Sequence, residues 1–148
     1  MTTYRDAIVA AFSVCATLCA VAVAESSKPV LESAVFHWDS IPAKPTDVGA
    51  LRDFFRSRTA TLDELELHVT TLNPGVTSHA PHRHPNEELV IVREGMLEAY
   101  VNGRTERVGP GSVIFNASNQ LHGVRNVGDG PATYHVINWA SPGSLAKK

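Results

Sequence analysis

From residue 65 onward, apolar and polar residues alternate in short runs separated by turn formers, the pattern of half-buried β-strands. The alternation predicts strands over residues 65–72, 89–92, 96–101, 104–108, 113–115, 121–127 and 132–139. Asn73-Pro74-Gly75, Arg93-Glu94-Gly95, Asn102-Gly103, Gly109-Pro110-Gly111 and Gly128-Asp129-Gly130-Pro131 punctuate them, close to the spacing of roughly 8 to 12 residues typical of all-β domains. Asn102-Gly103 suits a type I′ hairpin turn, whose two central residues both need positive φ. Strands of this kind close into an antiparallel barrel or sandwich, which hides edges that would otherwise aggregate. Val90, Val92, Val113, Phe115 and Val124 are assigned to its interior, giving a mainly apolar lining.

Upstream the periodicity fades. Residues 25–51 contain Pro29, Pro42 and Pro45 and read as an extended arm with at most a short strand over residues 35–38. Residues 51–58 read as one or two helical turns, with Phe54 and Phe55 as packing contacts. Before the arm, Arg5 precedes an apolar, alanine-rich stretch over residues 7–24 that ends in Ala22-Val23-Ala24, a small-x-small cleavage pattern. This is the form of a secretory signal peptide, although Asp6 offsets the charge of Arg5. The alanines make the stretch weakly hydrophobic for a permanent anchor. The expectation is export to a periplasmic or extracellular location, with no stable membrane insertion after cleavage. Cys15 and Cys19 both fall in this segment, so the mature chain makes no disulfide. The expected organisation is a signal peptide over 1–24, an arm over 25–60, the barrel over 61–140 and a tail over 141–148.

At 148 residues, 43% hydrophobic and 19% charged, the chain suffices for one domain with a modest core. A net charge of −2, with scattered basic residues, gives no electrostatic reason to bind nucleic acid. A small molecule is the better partner.

Three of the seven histidines fall between positions 79 and 84. His82 and His84 flank Arg83, and on an extended segment residues two apart share a face. Glu88 follows, and His122 stands much later. Strand parity with His84 favours Glu88 over Glu87 as the inward carboxylate, unless a bulge at Pro85 reverses it. Imidazoles and a carboxylate in one pocket are donors that suit Mn, Fe, Co, Ni, Cu or Zn.

At these residues the sequence resembles the cupin superfamily. Its first motif, G-x5-H-x-H-x3,4-E-x6-G, reads here as Gly75, six residues rather than five, His82, His84, Glu88 and Gly95. The second, G-x5-P-x-G-x2-H-x3-N, falls on Gly111, His122 and Asn126, with Ala117 in place of proline and Asn119 in place of glycine. Asparagine tolerates left-handed backbone, so the turn before His122 survives the exchange. The resemblance covers residues 65–139. It implies a cupin-type antiparallel β-barrel, or jelly roll, with an extended N-terminal arm. It also implies one divalent metal (Fe, Mn, Ni, Cu or Zn) held by His82, His84, Glu88 and His122.

Asn126 lies four residues beyond His122 on the same face, suited to hydrogen-bonding a ligand or to a structural role. His135, in the strand over 133–139, is either a partner of the site or a packed core residue. His79 leads into the first motif, and His68 is a further candidate for the barrel interior. Arms of this family commonly cross the barrel or pair with a second subunit, which makes a homodimer the expected assembly. The family houses dioxygenases, isomerases, hydrolases and simple binders, so the expected function is a metal-dependent enzyme acting on a small molecule. Dioxygenase-type oxidation is favoured over isomerisation or hydrolysis, and a non-catalytic ligand-binding or metal-binding cupin is the competing expectation.

Overall fold

The alternating segments fold as strands in a computed structural model that describes residues 29–146. The expected signal peptide, with Cys15 and Cys19, lies outside the described residues. The strands are β1 (Lys44–Thr46), β2 (Gly49–Ser57), β3 (Glu64–Leu72), β4 (Glu87–Glu94), β5 (Leu97–Val101), β6 (Arg104–Val108), β7 (Val113–Asn116), β8 (His122–Asn126) and β9 (Ala132–Ala140). Each of the seven strands read from the sequence is present, with ends moved by at most two residues. At the hairpin between β5 and β6, Asn102 and Gly103 adopt φ of 50° and 80°, the two positive values that a type I′ turn requires.

The segment before β3 differs from expectation. Residues 51–58 are not helical; they belong to β2, which pairs antiparallel with β3. The Phe54-Phe55 doublet broke the period-two pattern, and the structure absorbs it in a register shift between Asp53 and Phe55. Both rings pack: Phe54 lies 6.1 Å from Trp38 and Phe55 5.1 Å from Phe36, between centroids. No strand forms over residues 35–38; a single 3-10 turn occupies Trp38–Ser40. Trp38 is gripped between the guanidinium groups of Arg52 and Arg93, 4.2 and 4.4 Å from its ring.

The strands form a six-stranded sheet, in the order β1-β2-β3-β9-β4-β7, and a three-stranded sheet, β6-β5-β8. The core fills the space between them with Leu72, Val90, Val92, Leu97, Ala99, Ile114, Val124, Ala132 and Val136. Gly95, with φ of 80°, lets the β4–β5 turn close on β9: a Cβ there would stand 2.6 Å from the Ala132 Cα.

Val113 and Phe115 are not interior residues. They are 58% and 51% exposed, while Ile114 and Asn116 of the same strand point inward. The register sets this: Phe115 pairs with Leu89 and Asn116 with Glu88, and Glu88 faces the interior. Val113-Ile114-Phe115 is apolar on both faces, so its own pattern could not choose between them.

Candidate metal centre

The first-motif histidines reach the interior on a segment that borders β8 without being a regular strand. Gly75 and Ser78 donate to the carbonyls of Asn126 and Val124, and His82 and His122 exchange backbone hydrogen bonds of 3.0 and 3.1 Å. This exchange places the first histidine of one motif directly beside the histidine of the other. Arg83 points away and donates to the Asn119 carbonyl at 2.7 Å, while the Asn119 amide donates to the His84 carbonyl at 2.8 Å. Asn119 holds φ of 59°, the left-handed geometry expected where the motif has glycine.

The result is a cluster in which one ligand nitrogen from each of His82, His84 and His122 lies within 4.8 Å of the others. The Glu88 carboxylate closes the fourth side, its two oxygens each 3.6 Å from an Nε2, one of His84 and one of His122. Glu87 turns outward and accepts a 2.8 Å hydrogen bond from the Trp139 indole, so no bulge reverses the parity.

The surroundings fix the tautomers. Nδ1 of His84 donates to the Asn86 carbonyl at 3.0 Å and Nδ1 of His122 to the Gln120 carbonyl at 2.8 Å. Both rings therefore present the Nε2 lone pair to the cluster, the arrangement found when the other ring nitrogen orients a metal-binding histidine. Nε2 of His122 and Nδ1 of His82 are buried without a hydrogen-bond partner. Orphaned buried nitrogens are costly, and a cation among three imidazoles and a carboxylate would satisfy them. The donor set thus fits a divalent transition metal.

Electrostatics point the same way. Burial pushes the Glu88 carboxyl up, but the adjacent His84 imidazole, the hydrogen bond from Asn116 and the nearby His122 outweigh it, leaving Glu88 below the ordinary carboxylate range. Burial, then the neighbouring His79, His122 and His84, hold His82 below the ordinary imidazole value, so it stays neutral and ready to coordinate. The contact with Glu88 raises His84.

The cluster lies in the wall of a cavity of about 440 Å³. Cross-strand register arranges the large-sheet wall in rows. Glu66, Asn138, Glu88 and Asn116 stand side by side across β3, β9, β4 and β7. The next row is His68, Val136, Val90 and Ile114, and beyond it Thr70 and Tyr134. Val124 closes the far side, and Val48, Ala50 and Leu51 bring apolar surface from before and within β2. A larger space, about 580 Å³, opens between β6 and β7 but carries no histidine.

Two lining or supporting residues escaped the sequence reading. Asn116, 2% exposed, donates from Nδ2 to Glu88 Oε1 at 2.7 Å; only the β4–β7 register reveals it, and it is too deeply buried to accept a glycan. Tyr134 lines the cavity with its phenol pushed up to about 12 by burial, so it is a hydrogen-bond donor at all ordinary pH. His79 lines the mouth, edge-on to His82 at 4.2 Å.

Two candidates stand elsewhere. Asn126 is buried beneath the barrel wall, its Nδ2 within 2.9–3.1 Å of the carbonyls of Leu72, Asn73 and Gly130, and its Oδ1 accepting from Gly128 N. Its role here is structural. His135 lies on the opposite face of β9 from the cavity-lining Tyr134 and Val136, half-buried, and joins neither the cluster nor the core.

An antiparallel barrel of two sheets, with imidazoles and a carboxylate gathered inside where they could hold a metal, is the architecture of a cupin-type barrel. Residues 68–138 form a cupin domain: they match the family described as Cupin domain. No curated protein sequence matches the chain. Among solved structures it is similar to an RmlC-like cupin from Shewanella frigidimarina (TM-score 0.62, 13% identity, covering 75% of this chain and 94% of that one). It is also similar to the polyketide cyclase RemF from Streptomyces resistomycificus (0.60, 22%, 75% and 82%). A third is a predicted oxalate decarboxylase from Thermotoga maritima (0.59, 16%, 72% and 99%). At such identities the likeness is one of fold.

Proposed function

We propose that this protein is an exported metalloenzyme that acts on a small molecule, using one divalent transition metal held by His82, His84, Glu88 and His122. The observation that carries the reading is the pair of orphaned, buried imidazole nitrogens within a three-histidine, one-carboxylate cluster that opens onto a cavity. When bound, the metal would supply Lewis acidity toward chelating oxygen atoms and, if it is Fe, Mn, Ni or Cu, reactivity toward O2.

The chain's own residues do the rest. Gln120 and Asn86 carbonyls hold the rings in their coordinating tautomers, and Asn116 fixes one oxygen of Glu88. Val90, Val124 and Val136 exclude water from the bound molecule's apolar part, and Tyr134 offers it a proton-bearing donor. The apolar surface that Val90, Val124 and Val136 present among polar lining residues favours a planar or partly hydrophobic substrate over a heavily hydroxylated sugar. We favour oxidation of an enol, catechol or diketone by O2. Isomerisation or hydrolysis is the reading if the native metal is Zn. The similar structures described as a cyclase and as a decarboxylase illustrate how little the barrel itself selects the reaction.

Ala22-Val23-Ala24 supports cleavage and export to a periplasmic or extracellular location. The exposed Val113 and Phe115 on edge strand β7 support burial of that edge in a homodimer. Oxygen consumption by the metal-loaded protein over a panel of enols, catechols and dicarboxylates tests the catalytic reading. Turnover with one class supports it, whereas saturable binding without turnover in every metal form would assign the protein to the ligand-binding cupins.

A further inference from the structure

A second group with proton chemistry faces the same cavity, outside the metal cluster. His68 on β3 lines it, and its Nδ1 lies 2.9 Å from Glu66 Oε1. Hydrogen bonding to His68 holds the Glu66 carboxyl below the ordinary range, helped by Arg56, whose Nε is 3.8 Å away, and by Asn138. An ionised carboxylate only accepts, so His68 Nδ1 is the donor and Nε2 carries the lone pair.

Glu66 thus orients His68 as a carboxylate orients a histidine base. Asp53 stands opposite His68 on β2 but is bound to Lys44 at 3.0 Å, and Arg56 is committed to Glu64 and Glu66. Tyr134, with its proton firmly held, cannot accept another.

Position gives the dyad its use. His68 and Val90 occupy one cross-strand row with Val136 between them, so their backbones are about 10 Å apart, two strand spacings. That separation leaves room for one small planar molecule to chelate at the Glu88 end and extend over Val136 toward His68.

We propose that His68, oriented by Glu66, is the proton acceptor for the molecule held at this metal centre, and that the molecule is an oxygen chelator which arrives with one acidic O–H. The inference rests on the metal-dependent reading above. The O–H bond breaks, its proton passes to His68 Nε2, and its electron pair stays on the ligand oxygen. The resulting imidazolium is balanced by the Glu66 carboxylate, and the ligand anion by the metal cation.

The test uses the full-length protein loaded with zinc, which adds no absorption of its own, and 4-nitrocatechol, whose spectrum shifts as each hydroxyl ionises. At neutral pH free 4-nitrocatechol keeps its second hydroxyl proton. The wild-type complex is expected to show the doubly ionised spectrum. His68→Gln should hold as much zinc but bind the probe at least about tenfold more weakly, the equivalent of one pKa unit, with the second proton retained. Glu66→Gln should move in the same direction by a smaller factor. An unchanged spectrum and affinity in His68→Gln overturns the proposal, as does loss of zinc from that variant. If the wild type takes up no zinc, the metal centre falls, and the role of His68 with it.

Discussion

Asn116 shows how a single side chain sets the chemistry of its neighbour. Its amide holds one Glu88 oxygen at 2.7 Å, which orients the carboxylate and keeps it ionised. Asn116→Ala should leave the fold intact and weaken metal binding by about 10- to 100-fold, the usual loss when such a partner is removed; a competition titration with a chromophoric chelator measures it. Glu66 offers a pH prediction. Its pKa is lower in the fold than in the unfolded chain, so its contribution is present above the unfolded value of 4.5 and is lost as pH falls through the folded value. Glu66→Gln should therefore be less stable near neutrality, and the gap to wild type should close under acid, as read from melting temperatures across that range. At this scale the sequence exposed His82, His84, Glu88 and His122 through motif spacing and strand parity. It hid Asn116 and Tyr134, because their roles depend on which strands become neighbours.

Elements carry the next layer. β8 and the irregular segment beside it bring both motifs together, and Asn126 locks that arrangement by reaching the carbonyls of Leu72, Asn73 and Gly130. Asn126→Ala would remove a donor from one buried and two partly buried carbonyls, at about 1–3 kcal/mol for a buried group left unpaired, so a stability loss of about 3 kcal/mol is expected from urea unfolding. The motif asparagine is thus a fold residue whose position near the site comes from the latch, not from contact with a ligand. Trp38 between Arg52 and Arg93 pins the segment before β1. Trp38→Ala should speed proteolysis within residues 31–41 while barrel melting changes little. Strands with clean alternation and strong turn signals were legible: β6 was bounded to the residue, and Asn119 took the positive φ its place in the motif demands. β2 was not, because a bulge within a Phe-Phe doublet erases the period-two signal. β7 was placed correctly but turned the wrong way, since three successive apolar residues give no parity.

For the whole molecule, the barrel exists to bring a large-sheet carboxylate, a small-sheet histidine and two histidines of the joining segment to one point. His82, His84 and Glu88 are neighbours in sequence, but only the fold brings His122 to them, so a metal held by all four would favour the folded state. Saturating metal should raise the melting temperature, by about 2.7 kcal/mol of stability at a hundredfold excess over Kd, and a chelator should reverse the gain. The most direct test is elemental analysis of the untagged protein from its native compartment beside a His82→Ala/His84→Ala double variant. Near one transition-metal ion per chain in the wild type and none in the folded variant is the result expected of this site. A wild-type protein without metal, or a variant that keeps as much, would contradict the assignment of these histidines to a metal centre.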